Sequence, residues 1–433
     1  MTDEAMLDQL QRETFLYFLD EANPHNGLVA DRTQLGAPSS IAATGFGLAI
    51  YPVGVERGFM SRAAGVTRVL TTLRFFLSSI QSREPEATGC FGFYYHFLDC
   101  ESGRRAWRSE VSTIDTTFLL AGALTAAAYF DRDTPDEREI GTIASALYDR
   151  ADWPAMLNGS YAVSHGWTPE RGFLRYGWFG YSEALLLYVL GLGSSTHPLP
   201  AESYAAWLST YRWTRIYGRE LIYGGPLFIH QWSHLWIDFR GIQDAFVADH
   251  DLDYFENSRR ATYVQQQYAT RNPKGFVGYS DRCWGITASD GPGPATRTID
   301  GRHRRFFDYV ARGVPYGPDD GTIAPSACVA SLPFAPEIVL PTVRHFFDLQ
   351  LKSDNPYGFT ATFNRTFPAD PHRPYGWMSP WHVGLNQGPM VMMIENYRTG
   401  LLWQLMRRSE PIVRGLRRAG FSGGWLSRSR RRG

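Results

Sequence analysis

Hydrophobic side chains recur at helical spacing along most of this chain. Leu7, Leu10, Phe15 and Phe18 line one face of an opening amphipathic helix that stops near Asn23-Pro24, and Val66, Leu70, Leu73, Phe76, Leu77 and Ile80 make a longer second stripe. From Val111 to Phe130 the chain is apolar nearly all round, as expected of a helix enclosed by other elements. Helical patterns continue over 136–149, 181–192, 201–216, 242–247, 254–268, 337–351 and 388–406. Between them lie loops rich in Gly, Pro and aromatic residues at 27–45, 159–180, 217–230, 272–301, 313–324 and 354–380. Loops this long inside a compact domain are usually functional surfaces. Strand and helix do not alternate, so a doubly wound sheet is disfavoured. The absence of a short repeat disfavours a solenoid. The pattern predicts an all-α fold of the α/α barrel type: inner helices beginning near 111, 181 and 388, amphipathic outer helices, and the chemistry on loops at one end. Residues 1–406 are expected to form one catalytic domain, and 407–433 an Arg-rich, disordered tail.

Composition narrows this picture. The 433 residues carry 43 basic and 43 acidic side chains, with 44% hydrophobic and 20% charged residues, which excludes disorder as the main state. The apolar run 118–130 is shorter than the roughly 20 residues of a membrane span. Lys274 and Lys352 are the only lysines, so the basic side chains are otherwise arginine, a bias that does not indicate nucleic-acid binding. Cys90, Cys100, Cys283 and Cys328 have neither paired metal-ligand spacing nor disulfide-scaffold density. Met1 to Leu19 carries Asp3, Glu4, Asp8 and Glu13 in place of a basic start and apolar block. As it stands the sequence reads as cytoplasmic, or as periplasmic if an export leader is missing from it. Aromatic residues make up 15% of the chain, many beside Gly, Pro, His and carboxylates, a setting suited to a sugar or another flat polar ligand.

Three constellations carry candidate chemistry. Ser109 to Thr116 sets Glu110 and Asp115 at the mouth of a buried helix. Ser112 and Asp115 also have capping-box spacing, which gives Asp115 a purely structural alternative. Gly177 to Tyr188 brings Glu183 into an apolar helix behind a Gly/aromatic loop, where an acid could equally serve the helix dipole. Two carboxylates from different helix mouths, flanked by Trp and Tyr, are the minimal equipment for glycoside hydrolysis: one protonates the leaving oxygen, the other activates water or attacks the anomeric carbon. Gly224 to Asp238 holds His230 and His234 four residues apart, but Gln231 stands where a zinc protease motif needs Glu. Asp249, Asp251 and Asp253 alternate like a calcium loop, yet Tyr254 and Arg260 occupy its Gly and Glu positions.

Together these segments resemble the bacterial glucoamylase-like family that includes the endo-β-1,2-glucanases, glycoside hydrolase family 144, and the related transglycosylase domain of cyclic β-1,2-glucan synthases. The resemblance rests on 17–32, Gly45 to Leu48, Ser109 to Thr117, Gly180 to Pro198, Gly225 to Asp238, Trp284 to Pro292 and Trp381 to Tyr397, in order over residues 13 to about 405. It implies an (α/α)6 barrel, no metal or organic cofactor, and inverting hydrolysis of β-glucan, the β-1,2-linked polymer or its oligosaccharides. Glu110 is then expected as general acid and Glu183 as general base, roles open to exchange, with Asp115 as a third catalytic candidate. Arg32, His96, Trp167, Trp178, His230, Gln231, Trp236, Asp290, Trp381 and Gln387 are the expected substrate-binding residues. No nucleic acid, membrane span or obligate protein partner is implied. The competing readings are a retaining β-1,2-glucan transglycosylase and a non-catalytic glucan-binding protein.

Overall fold

The structure, a computed structural model, describes residues 1–352, 356–369 and 375–427. Its helices start at local caps. In α1 (Asp3–Asp20) the Thr2 hydroxyl accepts from Ala5 N; Ser40 caps α2 (Ile41–Glu56), Ser61 caps α3 (Arg62–Ser78), Ser112 caps α4 (Thr113–Tyr129) and Thr134 caps α5 (Pro135–Arg150) in the same way. The chain continues through α6 (Leu185–Gly193), α7 (Glu202–Leu208), the single turn α8 (Ala245–Ala248) and α9 (Tyr254–Arg271). It ends with α10 (Pro325–Val329), α11 (Pro336–Asp348), α12 (Gly384–Arg398), α13 (Leu401–Met406) and α14 (Glu410–Arg418).

Burial alternates along this order. The helices α2, α4, α6 and α10 are buried along nearly their whole length and α12 along most of it, whereas α1, α3, α5, α9 and α11 each bury one face. The buried helices are joined side by side. α2 packs on α4 and on α12, α4 on α6, and α10 on α12. Between α6 and α10 stands a pair of tight turns, Leu227–His230 and Trp232–Leu235. Ser233 Oγ accepts from Leu186 N and donates to Glu183 O on one side, and Gln231 Nε2 donates to Ala327 O on the other.

The crossing of α2 on α4 requires glycine. A Cβ at Gly122 would stand 2.0 Å from Gly45 O, and one at Gly45 would stand 2.5 Å from Phe118 O. Strands are short. Among the described residues six two-stranded ribbons and one five-stranded antiparallel sheet decorate the helices, and no sheet closes. Two apolar clusters fill the interior, one around α2, α4 and α6 and one around α9, α10 and α11. No helix among the described residues is long and apolar enough to cross a membrane.

Several expectations need correction. The sequence pattern left α2 unassigned, because a helix buried on every side and carrying Gly45, Gly47, Gly54 and Pro52 has no polar face to mark its period. The pattern over 201–216 is a helix only to Leu208; Trp213–Ile216 then pairs with Arg219–Ile222 in a hairpin. The pattern over 388–406 is two helices broken at Gly400, which has φ +70. The expected tail is folded at least to Ser427. Ile412 and Leu416 of α14 are buried, α14 packs on α6, Ser422–Gly423 pairs with Ile242–Gln243, and Trp425 Nε1 donates to Asp238 O. Its arginines are used locally: Arg414 and Arg418 donate to carbonyls at the end of α6. Residues 428–433 and parts of the expected 354–380 loop lie outside the described residues.

Candidate active site

The N-terminal ends of α4, α6 and α12 meet around a cavity of about 440 Å³. Asp115, in the first turn of α4, and Glu183, two residues before α6, both line it. Asp31 and Arg32 enter from the loop ahead of α2, held against the start of α12 by Gly384 N donating to Asp31 O and Thr33 N donating to His382 O. Asp290 enters beside Arg32 from the loop where Ala288–Ser289 pairs with Val310–Ala311, a pairing that brings Tyr309 to the same rim. Phe118 and Trp232 line the apolar side, backed by Trp236, which stacks on Phe118 at 5.6 Å with rings 10° from parallel.

Four carboxylates therefore face one small space, and their surroundings differ. Glu183 is 9% exposed and makes no ion pair among the described residues; burial, reinforced by the Asp115 charge, pushes its carboxyl up to about 7. Asp115 is buried too, and burial holds it above the usual carboxylate range against the pull of His96 and of the Ser112 hydroxyl, which donates to Oδ2. Asp290 is raised by burial against the opposing charge of Arg32, which donates to it at 3.1 Å and to Asp31 at 2.9 Å. His96 reaches Glu110 Oε1 through Nδ1 at 3.0 Å and Asp115 Oδ1 through Nε2 at 3.7 Å. Burial disfavours its charge, yet Asp115 and Glu110 outweigh that and raise it to about 9, so it stands between them as an imidazolium. Asp115 is thus both a capping residue, its backbone N–H bonded to Ser112 Oγ, and a cavity residue.

Five of the expected site residues line the cavity: Arg32, His96, Asp115, Glu183 and Asp290. Glu110 does not. Its carboxylate faces His96, whose hydrogen bond and charge outweigh burial and hold it below the usual range, the wrong direction for a proton donor at neutral pH. His230 is buried and hydrogen-bonded through Nε2 to the backbone of Gly224, with burial lowering it to about 4. Gln231 is spent on Ala327 O and Ser331 Oγ, and Gln387 on Phe359 O and His382. Trp236 lies beneath the floor, and Trp167 packs edge-on to Phe91 in the five-stranded sheet. Trp178 donates to Thr113 Oγ1 and stacks on His165, and Trp381 shares backbone bonds with Ala361 and Ser379; neither lines the cavity. The acids Asp319 and Asp320 are structural, accepting from Tyr268, Tyr279 and the fully buried Arg312.

Sequence reasoning passed over Asp31, Tyr309, Trp232 and Asn386 as site residues. Asp31 and Trp232 sit beside Arg32 and Gln231 in segments already singled out, whereas Tyr309 has no local signal. Among the described residues no group of three His, Cys, Asp or Glu is placed to hold a metal ion. A larger surface groove of about 770 Å³ lies between the 213–222 hairpin and α9, but its Arg259 and Arg260 are paired with Glu337 and Glu256, and none of the cavity acids borders it.

A family model described as "Putative glucoamylase" matches residues 175–410, more than half of the chain, and the chain belongs to that family. It is 30% identical over 96% of its length to an exo β-1,2-glucooligosaccharide sophorohydrolase acting at the non-reducing end, from Parabacteroides distasonis, and spans 58% of that relative's length. A crystal structure from Bacteroides uniformis, of the same glucoamylase description, superposes with a TM-score of 0.86 at 31% identity, covering 98% of this chain and 99% of that one. The endo-β-1,2-glucanase of Chitinophaga pinensis, solved with sophorotriose and glucose, gives a TM-score of 0.86 at 26% identity, over 98% of this chain and all of its own.

Proposed function

We propose that this protein is a glycoside hydrolase of β-1,2-glucan or its oligosaccharides, with Glu183 as the general acid and Asp115 as the base that activates water. The observation that carries the reading is the contrast between two neighbouring acids. Glu183 has no cation and holds its proton to about 7, whereas Asp115 has the His96 charge and the Ser112 hydroxyl to stabilise its anion. Burial raises both, but only Asp115 has a cation and a hydroxyl donor for its anion, and neighbouring carboxyl groups in such unlike surroundings divide acid and base work between them. Protonated Glu183 donates to the leaving glycosidic oxygen, while ionised Asp115 takes a proton from the water that attacks the anomeric carbon. The Arg32–Asp290 pair and Asn386 offer fixed donors and acceptors to sugar hydroxyls, and Trp232, Phe118 and Phe97 offer ring faces. The β-1,2 linkage is supported by the names of the Parabacteroides and Chitinophaga relatives. Glu110, expected first as the acid, acts in this scheme only through His96.

Separate attacking water and no covalent intermediate mean inversion. Among the described residues the outer helices α1, α3, α5, α7, α9 and α11 alternate with the inner helices α2, α4, α6, α10 and α12, and the paired turns at 227–235 stand for a sixth inner helix between α6 and α10; this alternation supports an (α/α)6 barrel with the cavity at its mouth. The test is to incubate wild-type protein, Glu183→Gln and Asp115→Asn with β-1,2-glucan and to follow products and their first anomer. The reading predicts α-anomeric products from the wild type and losses of at least about 100-fold in both variants. A retained β anomer with transfer products makes it a transglycosylase. Binding without cleavage makes it a glucan-binding protein.

A further inference from the structure

Trp107 is 64% exposed, yet it stands one ring away from the cavity. Its ring lies 5.0 Å from that of Phe97, a cavity-lining residue, and Phe97 in turn stacks on His96 at 4.0 Å with the rings 12° from parallel. An indole left in water beside such a row has a face free.

The backbone beneath it is held in a costly shape. Trp107 has φ 53 and Arg108 φ 50, two consecutive left-handed residues, neither of them glycine. A bulky aromatic residue is disfavoured there, and such conformations persist only where the surroundings over-determine them, often at ligand contacts. The surroundings here are Arg105, whose side chain is 4% exposed. It donates through Nε to Ser109 O at 2.6 Å and through Nη2 to Arg108 O at 2.7 Å, pairs with Glu170 at 2.6 Å, and lies over the Tyr95 ring. Ala106 N donates to Phe97 O, which ties the turn to the cavity wall. A buried arginine and a strained turn thus hold a large apolar ring out in solvent, and the fold gains no buried core from it.

We propose that Trp107 is a stacking platform for a pyranose ring of a β-linked glucan chain, one that lies outside the cavity after the cavity itself is filled. The site rests on the proposed function for the identity of the chain, but its geometry stands on Phe97, Trp107 and the Arg105 clamp. The apolar C–H face of a glucose ring matches an exposed indole, and the next sugar along the chain would meet Phe97. The residue would therefore make the protein favour long chains over short ones without touching the reacting bond.

The test compares β-1,2-linked glucooligosaccharides of graded length, from two glucose units upward, in calorimetric titrations with Glu183→Gln and with Glu183→Gln carrying Trp107→Gly or Trp107→Phe. Glycine accepts the left-handed turn and removes the ring; phenylalanine keeps a face. The expected result is a loss of roughly tenfold in affinity for long chains in Trp107→Gly, no change for the two-unit sugar, most of the affinity restored in Trp107→Phe, and no fall in Tm. Equal loss at every length, no loss at any length, or a loss accompanied by a fall in Tm overturns the platform. Wild-type protein that binds the long chains but cleaves none overturns the proposed function instead, and the length dependence of binding still decides the role of Trp107.

Discussion

The least ordinary residue in the molecule is Glu183, an acid without a counter-ion in a cavity wall. Because burial raises it from 4.5 to about 7, ionising it in the folded state costs free energy that the unfolded chain does not lose. Stability is therefore lost as pH rises from 4.5 through 7. Glu183→Gln should be more stable than the wild type by on the order of 2–3 kcal/mol above pH 7, with the gap closing near pH 4.5, as read from denaturant unfolding at the two pH values. A structural role for the carboxyl group would give a less stable variant at both. Glu110 is the contrasting case. Removing it as Glu110→Gln takes away a negative charge that raises Asp115, while Asp115 itself and Asp31 keep His96 protonated through the acid range. Turnover should survive, with the acid limb of the pH–rate profile moved down. Loss of activity as deep as in Glu183→Gln would return Glu110 to the role of proton donor. Sequence placed Asp115, Glu183, Arg32, His96 and Asp290 where the cavity is, because polar residues at helix mouths beside aromatic loops have few structural uses. It also nominated His230, Gln231, Trp236 and Gln387 from similar segments. Those side chains face the other way, into backbone carbonyls and ring stacks, and no spacing in a one-dimensional pattern separates the two outcomes.

At the scale of elements, the amphipathic helices α1, α3, α5, α9 and α11 were legible because each has a wet face. Of the enclosed ones, α4, α6 and α12 were read as inner helices, whereas α2 and α10 were not. What fixes α2 is contact made far away in sequence, the glycine crossing with α4. Gly122→Ala would drive a methyl group into the α2 backbone at Gly45 and should cost about 1–3 kcal/mol of stability. Since Asp115 rides on α4 and the Asp31–Arg32 loop leads into α2, turnover should fall with it; an unfolding free energy unchanged from wild type would show that the crossing can relax. The hairpin Ala295–Ile299 with Arg302–Phe306 escaped notice for another reason. Its four arginines and one histidine hide any alternation of apolar and polar positions. The folded state of α14 was hidden by charge in the same way, its buried apolar side chains Ile412 and Leu416 being outnumbered by Arg414, Arg417 and Arg418, of which Arg414 and Arg418 bond to α6.

For the whole molecule, the buried histidines set the pH range of the fold. Burial lowers His230 to about 4, His234 to about 3 and His382 to about 4, so each stays neutral when folded, whereas the unfolded chain takes up protons near 6.5. Stability therefore falls as pH drops below 6.5, by up to about 3 kcal/mol each for His230 and His382 and about 5 kcal/mol for His234. His96 acts in the opposite sense. Raised to about 9, it contributes stability that is fully present below 6.5 and is lost as pH rises through 9. Tm measured across pH should peak near 6.5, and a plateau down to pH 4 would mean that the buried histidines are solvated before the fold opens.

The central claim, that a protonated Glu183 gives its proton to the leaving sugar, is tested most directly by kcat/KM of the wild-type protein on β-1,2-glucan as a function of pH. The account predicts a rate that falls tenfold per unit above about 7, where Glu183 loses that proton. Full activity maintained to pH 9 would contradict it.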